Sequence, residues 1–412
     1  MKLQRHRFSL IALALSLSLL ALGVFFLFRS LHASALPPPP EESRLQSLKE
    51  SVIPGSVLDR NGIVLAASEE SGVRKYQDTA ERRASVVHVV GVDSGLIPGG
   101  MESRHIASLY GLRPTLSEAV GRLLRKQEGL RNGYDLTLTV SADLCEQLLR
   151  SAASHPETAG KNCGVVIVQY LTGEIVAMAS LPTFDPGKLS DASAEALRES
   201  ADQPLLNRVT EAVYPLGSLS EAFSPLSAFF RSRSVSFRDL SMAAPEDLSV
   251  TPLQLCLMTC AAAGDGTAPE PRLIRTVKTA AGGIVIPWSS SVLGRLCSAN
   301  DAESLKKRMK SCVADGAASL LYDPIQDLHG LPGSAETDGE SDAPRRFSWF
   351  TGFNAQKDAP FAVCVLLEDP APEYAETAAL LIARDCFSWL KSHPNLLNAE
   401  PARENPVQSN PV

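Results

Sequence analysis

The feature that most constrains this chain is an uncharged, mostly apolar run of 21 residues, Phe8–Phe28. A run of this length is sufficient to cross a bilayer as a single helix. Three basic residues lie before it, within residues 1–7, and Arg29 follows it closely. This excess of positive charge predicts a cytoplasmic tail at 1–7, a single-pass anchor in the cell membrane at 8–28, and an extracytoplasmic bulk.

The next segment, residues 29–50, is predicted to be a stalk. Its four consecutive prolines, Pro37–Pro40, favour an extended and semi-stiff polyproline helix. Ala33-Ser34-Ala35 also resembles a signal-peptidase cleavage site, so a cleaved signal peptide is an alternative to a retained anchor. Under both interpretations the chain after residue 30 is exported.

Composition argues against several functional classes. The 412-residue chain has a net charge of −7 and 44% hydrophobic residues, which is apolar material enough for two globular units and not the balance of a disordered chain. Its acidity and its lack of a basic, aromatic-interleaved patch argue against nucleic acid as a partner. The eight cysteines form no CxxC pair and the seven histidines are scattered, so neither a metal site nor a cofactor is predicted.

Residues 51–140 are predicted to form a small α+β domain. Pro54–Ala66 is predicted to be a hairpin, because Asn61-Gly62 between alternating apolar residues favours a tight turn. Val86–Val92 is predicted to be another apolar strand. No catalytic cluster is recognisable in this domain.

Residues 141–393 are predicted to form one antiparallel sheet flanked by helices, an α+β architecture. The predicted strands are Gly164–Gln169, Gly173–Ser180, Phe347–Phe353 and Phe361–Glu368. A helix is expected after the Thr251 cap, and Thr377–Lys391 is expected to close the domain as an amphipathic helix. His329–Glu336 is interpreted as a turn, and residues 394–412 as a disordered tail.

The stretch best suited to chemistry is Val213–Phe223. A turn at Pro215 and Gly217 is predicted to lead into a helix at Ser218, where the helix dipole would stabilise an anionic intermediate. Glu221 stands three residues on, where a serine nucleophile would need its base. The structural alternative is a capping box, in which Ser218 is the N-cap and Glu221 reaches back to its N–H.

The order of motifs in this chain resembles that of the class B penicillin-binding proteins, the membrane-anchored D,D-transpeptidases that cross-link peptidoglycan. The similar segments are PGSVLDRNGIVLA (54–66), GYDLTLTVSADL (133–144), GVVIVQYLTGEIVAMASLPTFDPG (164–187), PLLNR (204–208), YPLGS (214–218), SVTPLQL (249–255) and WFTGF (349–353). The resemblance implies a transpeptidase-like domain at 141–393, a pedestal-like domain at 51–140, and a serine nucleophile at the position of Ser218.

The catalytic motifs depart from the family pattern. In the family's Y-P-P-G-S-x-x-K motif the lysine takes the proton of the serine, whereas here Glu221 stands at its position. The family's K-T-G strand aligns with Leu331-Pro332-Gly333-Ser334, so the lysine that would bind a substrate carboxylate is a leucine. No S-x-N motif lies between Ser218 and Thr251. Ser298-Ala299-Asn300 has the right letters but follows that region, and we interpret it as a coincidence.

Three functions are compatible with this pattern. Loss of one member of a serine-enzyme constellation costs roughly 10⁴–10⁶ in turnover, which favours an inactive homologue that binds or positions proteins of wall synthesis, division or sporulation. The alternatives are an active acyl-enzyme that uses Ser218 with Glu221 as its base, and a reversible sensor of muropeptides or β-lactams. A cation near Ser218 would favour activity, and Arg231 and Arg233 are the candidates.

Overall fold

The computed structural model describes residues 16–23, 51–69, 71–112, 131–231, 237, 239–244, 249–286, 289–337 and 344–396. The chain divides into two compact units, residues 1–40 and 41–412. In the first unit residues 16–23 are helical, and the rest of the predicted tail and anchor lies outside the described residues, as does the stalk to residue 50. Within the described part of the chain, no helix combines the length and the apolar character needed to span a membrane.

The first part of the second unit contains short strands and helices. The strands are β1 (Val52–Ile53), β2 (Val57–Leu58), β3 (Val64–Ser68), β4 (Arg74–Tyr76), β5 (Arg131–Asn132) and β6 (Asp135–Leu138). The helices are α1 (Ala80–Val90), α2 (Met101–Arg104) and α3 (Ile106–Leu109). β2 and β3 pair antiparallel across the Asn61-Gly62 turn, which confirms the predicted hairpin.

The predicted strand at Val86–Val92 is wrong, because α1 extends to Val90. Thr79 caps this helix by accepting a hydrogen bond from the backbone N–H of Arg82. Three of its valines, at positions 86, 89 and 90, recur at helical spacing and are buried in the main core. Their burial on one helical face outweighs the preference of β-branched residues for strands.

The remaining elements build the larger part of the fold. The strands are β7 (Cys163–Gln169), β8 (Ile175–Leu181), β9 (Tyr214–Pro215), β10 (Ser249–Val250), β11 (Thr267–Pro269), β12 (Ile274–Lys278), β13 (Ile284–Ile286), β14 (Val292–Arg295), β15 (Leu328–Thr337), β16 (Arg345–Asn354) and β17 (Phe361–Glu368). The helices are α4 (Ala142–Ser154), α5 (Asp191–Glu199), α6 (Ser220–Arg231), α7 (Pro252–Ala263), α8 (Ala299–Asp315) and α9 (Ala378–Ser392).

An antiparallel sheet in the order β15-β16-β17-β7-β8 forms the centre of this part. α7 lies on one face, since the Thr259 and Thr351 hydroxyl oxygens are 2.6 Å apart. α9 lies on the other face, where the backbone N–H of Ala379 donates to Ser348 Oγ at 3.1 Å. Ser348 and Thr351 are an odd number of residues apart on β16, so their side chains point to opposite faces. Helices therefore cover both faces, which confirms the predicted α+β architecture.

A second sheet joins the two predicted domains. Its order is β13-β12-β6-β2-β3-β4, and β6 pairs antiparallel with β12 from Ile274 to Lys278. Residues 41–412 accordingly form one compact unit. The division at residues 140 and 141 stays a prediction, and the pairing across it shows that the two segments share a sheet.

The predicted turn at His329–Glu336 is wrong, because these residues belong to β15. β15 pairs with β16 without interruption, from Leu328 opposite Asn354 to Thr337 opposite Arg345. Pro332 and Gly333 favour turns in isolation, but long-range pairing with β16 keeps them extended. β15 is the last strand in the order, so one of its edges pairs with no other described strand, and we call it the free edge.

Candidate functional site

The candidate site lies where the Ser218 turn meets the edge of β15. Ser218 is exposed and belongs to a 3₁₀ turn, Gly217–Leu219, directly before α6. The backbone N–H of Ser334 on β15 donates a hydrogen bond to Ser218 Oγ at 3.0 Å. The indole N–H of Trp349 donates to the Pro215 carbonyl at 2.9 Å and holds the approach to the turn. The structure thus brings together Ser218 and the Leu331–Ser334 segment.

Two glycines allow this close contact. Gly217 has a φ of 53°, and a Cβ atom there would lie 2.1 Å from the Ser334 carbonyl oxygen. A Cβ atom on Gly333 would lie 2.5 Å from Leu219 Cγ. Both distances are far below van der Waals contact, so the turn can rest on β15 only because neither residue has a side chain.

Pro332 fits the strand because it faces the free edge. The N–H and the carbonyl of Ser334 both point towards the Ser218 turn, away from β16. Backbone groups alternate along a strand, so the nitrogen of Pro332, two residues earlier, faces the same edge. The proline therefore removes no hydrogen bond with β16, but it removes a donor that an added peptide strand would use.

The predicted capping box between Ser218 and Glu221 is wrong. Ser218 lies inside the 3₁₀ turn, whose flanking residue Leu216 makes no side-chain cap, and the Ser218 hydroxyl accepts a hydrogen bond from β15. The Glu221 side chain is 86% exposed, and its carboxylate lies 4.0 Å from the Arg308 guanidinium. The contact with β15 engages the hydroxyl that a cap would have used.

Arg308, on α8, is a site residue that the sequence analysis missed. Its side chain is 51% exposed, and an ion pair so exposed contributes at most about 1 kcal/mol. The only signal was a basic run at 306–308, which does not reveal the approach of α8 to α6. Of the two predicted cations, Arg231 ends α6 and is exposed, while Arg233 lies outside the described residues.

The Ser298-Ala299-Asn300 letters are not part of the site. Ser298 is the N-cap of α8, where its hydroxyl accepts a hydrogen bond from the Asp301 backbone N–H at 3.1 Å. The serine therefore begins a helix, as expected from the interpretation of this sequence as a coincidence.

A buried charged cluster holds the segment that precedes Ser218. Glu368, at the end of β17, accepts hydrogen bonds from Arg208 Nε at 2.8 Å and from the Tyr214 hydroxyl at 2.7 Å. Its second oxygen accepts from Asn162 at 3.2 Å and from Arg345 at 3.1 Å. Burial raises the pKa of Glu368, but the Arg208 charge and the hydrogen bonds from Tyr214 and Asn162 outweigh this effect and hold the pKa below its usual value. The carboxylate is therefore ionised at neutral pH and anchors Tyr214.

Among the residues that the structure describes, no side chain is placed to accept a proton from the Ser218 hydroxyl. A serine hydroxyl is a weak nucleophile unless a neighbouring base takes its proton. Across the described residues, the hydroxyl forms its hydrogen bond with a backbone donor and with no amine, imidazole or carboxylate. The Ser334 N–H, a donor of the kind that binds an oxyanion, is engaged with Ser218 itself. The Ser218 hydroxyl thus attaches the turn to the strand.

Comparisons with known proteins identify relatives. Residues 231–387 match the family model of the penicillin binding protein transpeptidase domain. A stretch of 114 residues, 26% of this chain, is 31% identical to the peptidoglycan D,D-transpeptidase MrdA of Escherichia coli K12. The chain is thus similar to the penicillin-binding proteins, and the family model of their transpeptidase domain matches residues 231–387. The match spans only 17% of the Escherichia coli relative, and a 33% identical match of 90 residues spans 21% of this chain and 12% of MrdA from Acinetobacter baumannii.

Solved penicillin-binding structures share the fold. The D,D-transpeptidase domain of a peptidoglycan glycosyltransferase from Eggerthella lenta has a TM-score of 0.64 at 18% identity, covering 83% of this chain and 99% of that domain. The imipenem acyl-enzyme of penicillin-binding protein A from Mycobacterium tuberculosis has a TM-score of 0.68 at 16% identity, covering 82% and 98%. The family-model match at 231–387 includes β15 but begins after Glu221, so the Ser218 turn lies outside it.

Proposed function

We propose that this penicillin-binding-protein homologue is catalytically inactive and acts in the bacterial cell envelope as a scaffold or regulator of peptidoglycan synthesis. The carrying observation is that Ser218 Oγ is bonded to the Ser334 N–H, while Glu221 occupies the usual lysine position and points into solvent. Leu331 and Pro332 replace the pair that would bind a substrate carboxylate. A carboxylate near the serine would also repel an anionic substrate and an oxyanion.

The proposal includes a single-pass membrane anchor at residues 8–28, a cytoplasmic N-terminus and an extracytoplasmic bulk. The support is the length of the apolar run and the basic residues before it. Its partners would be other proteins of wall synthesis, division or sporulation. Deletion of residues 8–28 should move the chain from the membrane fraction to the soluble one, and unchanged fractionation would contradict the anchor.

Labelling with a fluorescent penicillin tests the inactive site. We expect no covalent labelling of the full-length chain, and none in Ser218→Ala. The single variant Glu221→Lys should not confer labelling. The triple variant Glu221→Lys, Leu331→Lys, Pro332→Thr would restore both lysines of the family's motifs. Ser218-dependent labelling of the unmodified chain would refute inactivity. Reversible binding without a covalent adduct would instead favour the sensor function.

A further inference from the structure

A cavity lies away from Ser218. It is bounded by the Asn61 turn, the first turn of α4 and the end of α9. Its volume is about 550 Å³, within the range of roughly 300–1,000 Å³ that is usual for small-molecule sites. The side chains that matter for recognition are Asn61, Ser141, Asp143, Trp389, His393 and Asn395.

Asp59 holds two walls of the cavity in a fixed relation. Asp59 Oδ1 accepts hydrogen bonds from the backbone N–H groups of Asn61 at 2.7 Å and Ile63 at 2.9 Å. Its second oxygen accepts from the Ala142 N–H at 3.1 Å, in the first turn of α4. The carboxylate is fully buried, so the hairpin turn and the helix start are set before any ligand arrives.

The end of α9 provides a rigid aromatic wall. The Trp389 and His393 rings are stacked, with centroids 3.8 Å apart and an angle of 10° between their planes. His393 Nδ1 also lies 2.9 Å from the Trp389 carbonyl oxygen, which fixes the imidazole orientation. A flat wall of this kind offers apolar contact to one face of a ring at little entropic cost.

The polar groups of the cavity suit a neutral ligand. Its lining residues include neither lysine nor arginine, and Arg82 pairs with the carboxylate of Asp143. Over the described residues, the side-chain amides of Asn61 and Asn395 have no hydrogen-bond partner, and each offers two donors and one acceptor. Among the described residues that line the cavity, a phosphate or a carboxylate would find no lysine or arginine.

We propose that this cavity binds a neutral saccharide that carries hydroxyl or acetamido groups. The sugar ring would pack on the wall formed by Trp389 and His393, and its polar groups would bond to the amides of Asn61 and Asn395. The choice of a saccharide rests on the proposed function, which places the domain beside wall glycan. The site uses neither Ser218 nor β15.

Tryptophan fluorescence gives a direct test, because Trp389 lines the cavity. Full-length protein in a detergent without a sugar headgroup is titrated with N,N′-diacetylchitobiose. We expect a saturable change in emission, and loss of that change in Trp389→Phe. In calorimetry, Asn61→Ala combined with Asn395→Ala should weaken binding about tenfold or more, since two hydrogen bonds are lost.

Asn300→Ala is the matched control, because Asn300 is exposed on α8 and does not line the cavity. It should bind the disaccharide as the unmodified chain does. The proposal is overturned if millimolar disaccharide produces neither heat nor an emission change, or if the double asparagine variant binds as tightly as the control. Binding of a D-Ala-D-Ala dipeptide in place of the sugar would also overturn it. Penicillin labelling tests the inactive site separately. Failure of the saccharide proposal and failure of the proposed inactivity can therefore be distinguished.

Discussion

Substitution of Glu368 by glutamine tests how the Ser218 segment is held. Glu368 is 5% exposed and Arg208 is 2% exposed, and the glutamine would leave the Arg208 cation without an anionic partner, with only neutral oxygens such as the carbonyls of Asp202 and Gln203 as acceptors. Removing one partner of a buried ion pair costs about 3–5 kcal/mol. We expect the free energy of unfolding in urea to fall by about 3 kcal/mol. This is the lower end of the range, because the second cation of the cluster, Arg345, is exposed and contributes less to the stability of the cluster.

Glu336→Gln is the matched control. Its carboxylate pairs with Arg346 at 2.7 Å but is 59% exposed, so its loss should change the unfolding free energy by less than about 1 kcal/mol. Glu368→Leu combined with Arg208→Met should cost less than Glu368→Gln alone, since it leaves no buried charge unpaired. A Glu368→Gln variant within about 1 kcal/mol of the unmodified chain would refute this account.

The same cluster should make stability depend on acid pH. The folded-state pKa of Glu368 is lowered, so its contribution is present above the unfolded carboxyl pKa. That contribution is lost as the pH falls through the folded value. In Glu368→Gln the charged acceptor of the Tyr214 hydroxyl would become a neutral and weaker one, and hydrogen exchange at the Ser334 amide should accelerate as the turn loosens.

Three further predictions follow from single contacts. Burial lowers the pKa of His88 to about 4. Below pH 6.5 the unfolded chain therefore binds a proton that the folded chain does not, and the unfolding free energy should fall by about 2 kcal/mol between pH 7 and 5. His88→Gln should remove this pH-dependent part of the unfolding free energy. An unchanged pH profile of stability in the variant would contradict the prediction. Gly217→Ala should destabilise more than Gly62→Ala in urea, because both glycines have positive φ but only the former would clash; equal losses would show that the turn moves freely. Ser218→Ala should cost about 1 kcal/mol, whereas a gain in stability would indicate a strained catalytic residue.

Local sequence signals predicted the elements whose determinants are local. The Asn61-Gly62 hairpin formed where its turn residues required it. Thr251 caps α7 in a reciprocal bond with Gln254, and β16 pairs with β17 as expected. In each case the residues that specify the element lie within it or directly beside it.

The failures share one physical cause, since a distant partner decides each of them. Val86–Val92 has strand propensity, but the core selects a helix. From the local sequence, the Ser218 hydroxyl is predicted to cap a helix. Its hydrogen-bond donor is instead the Ser334 N–H on β15, 116 residues later in the chain. Glu368 carries no local sign that it pairs with Arg208, 160 residues earlier. Arg308 reaches Glu221 for the same reason.

The residues that stand at the family's catalytic positions fit the fold of this chain. Some of the family's own residues would fit it less well at the same positions. Leu331 is 7% exposed and belongs to the main apolar core, where a lysine would have to be desolvated. The nitrogen of Pro332, which carries no hydrogen, faces the free edge and not β16. The Glu221 side chain extends into water. The contacts that hold the turn, from Gly217, Ser334 and Glu368, do not require a reactive serine. The retained framework and these substitutions support our proposal that the chain presents a surface to partners and does not transfer an acyl group.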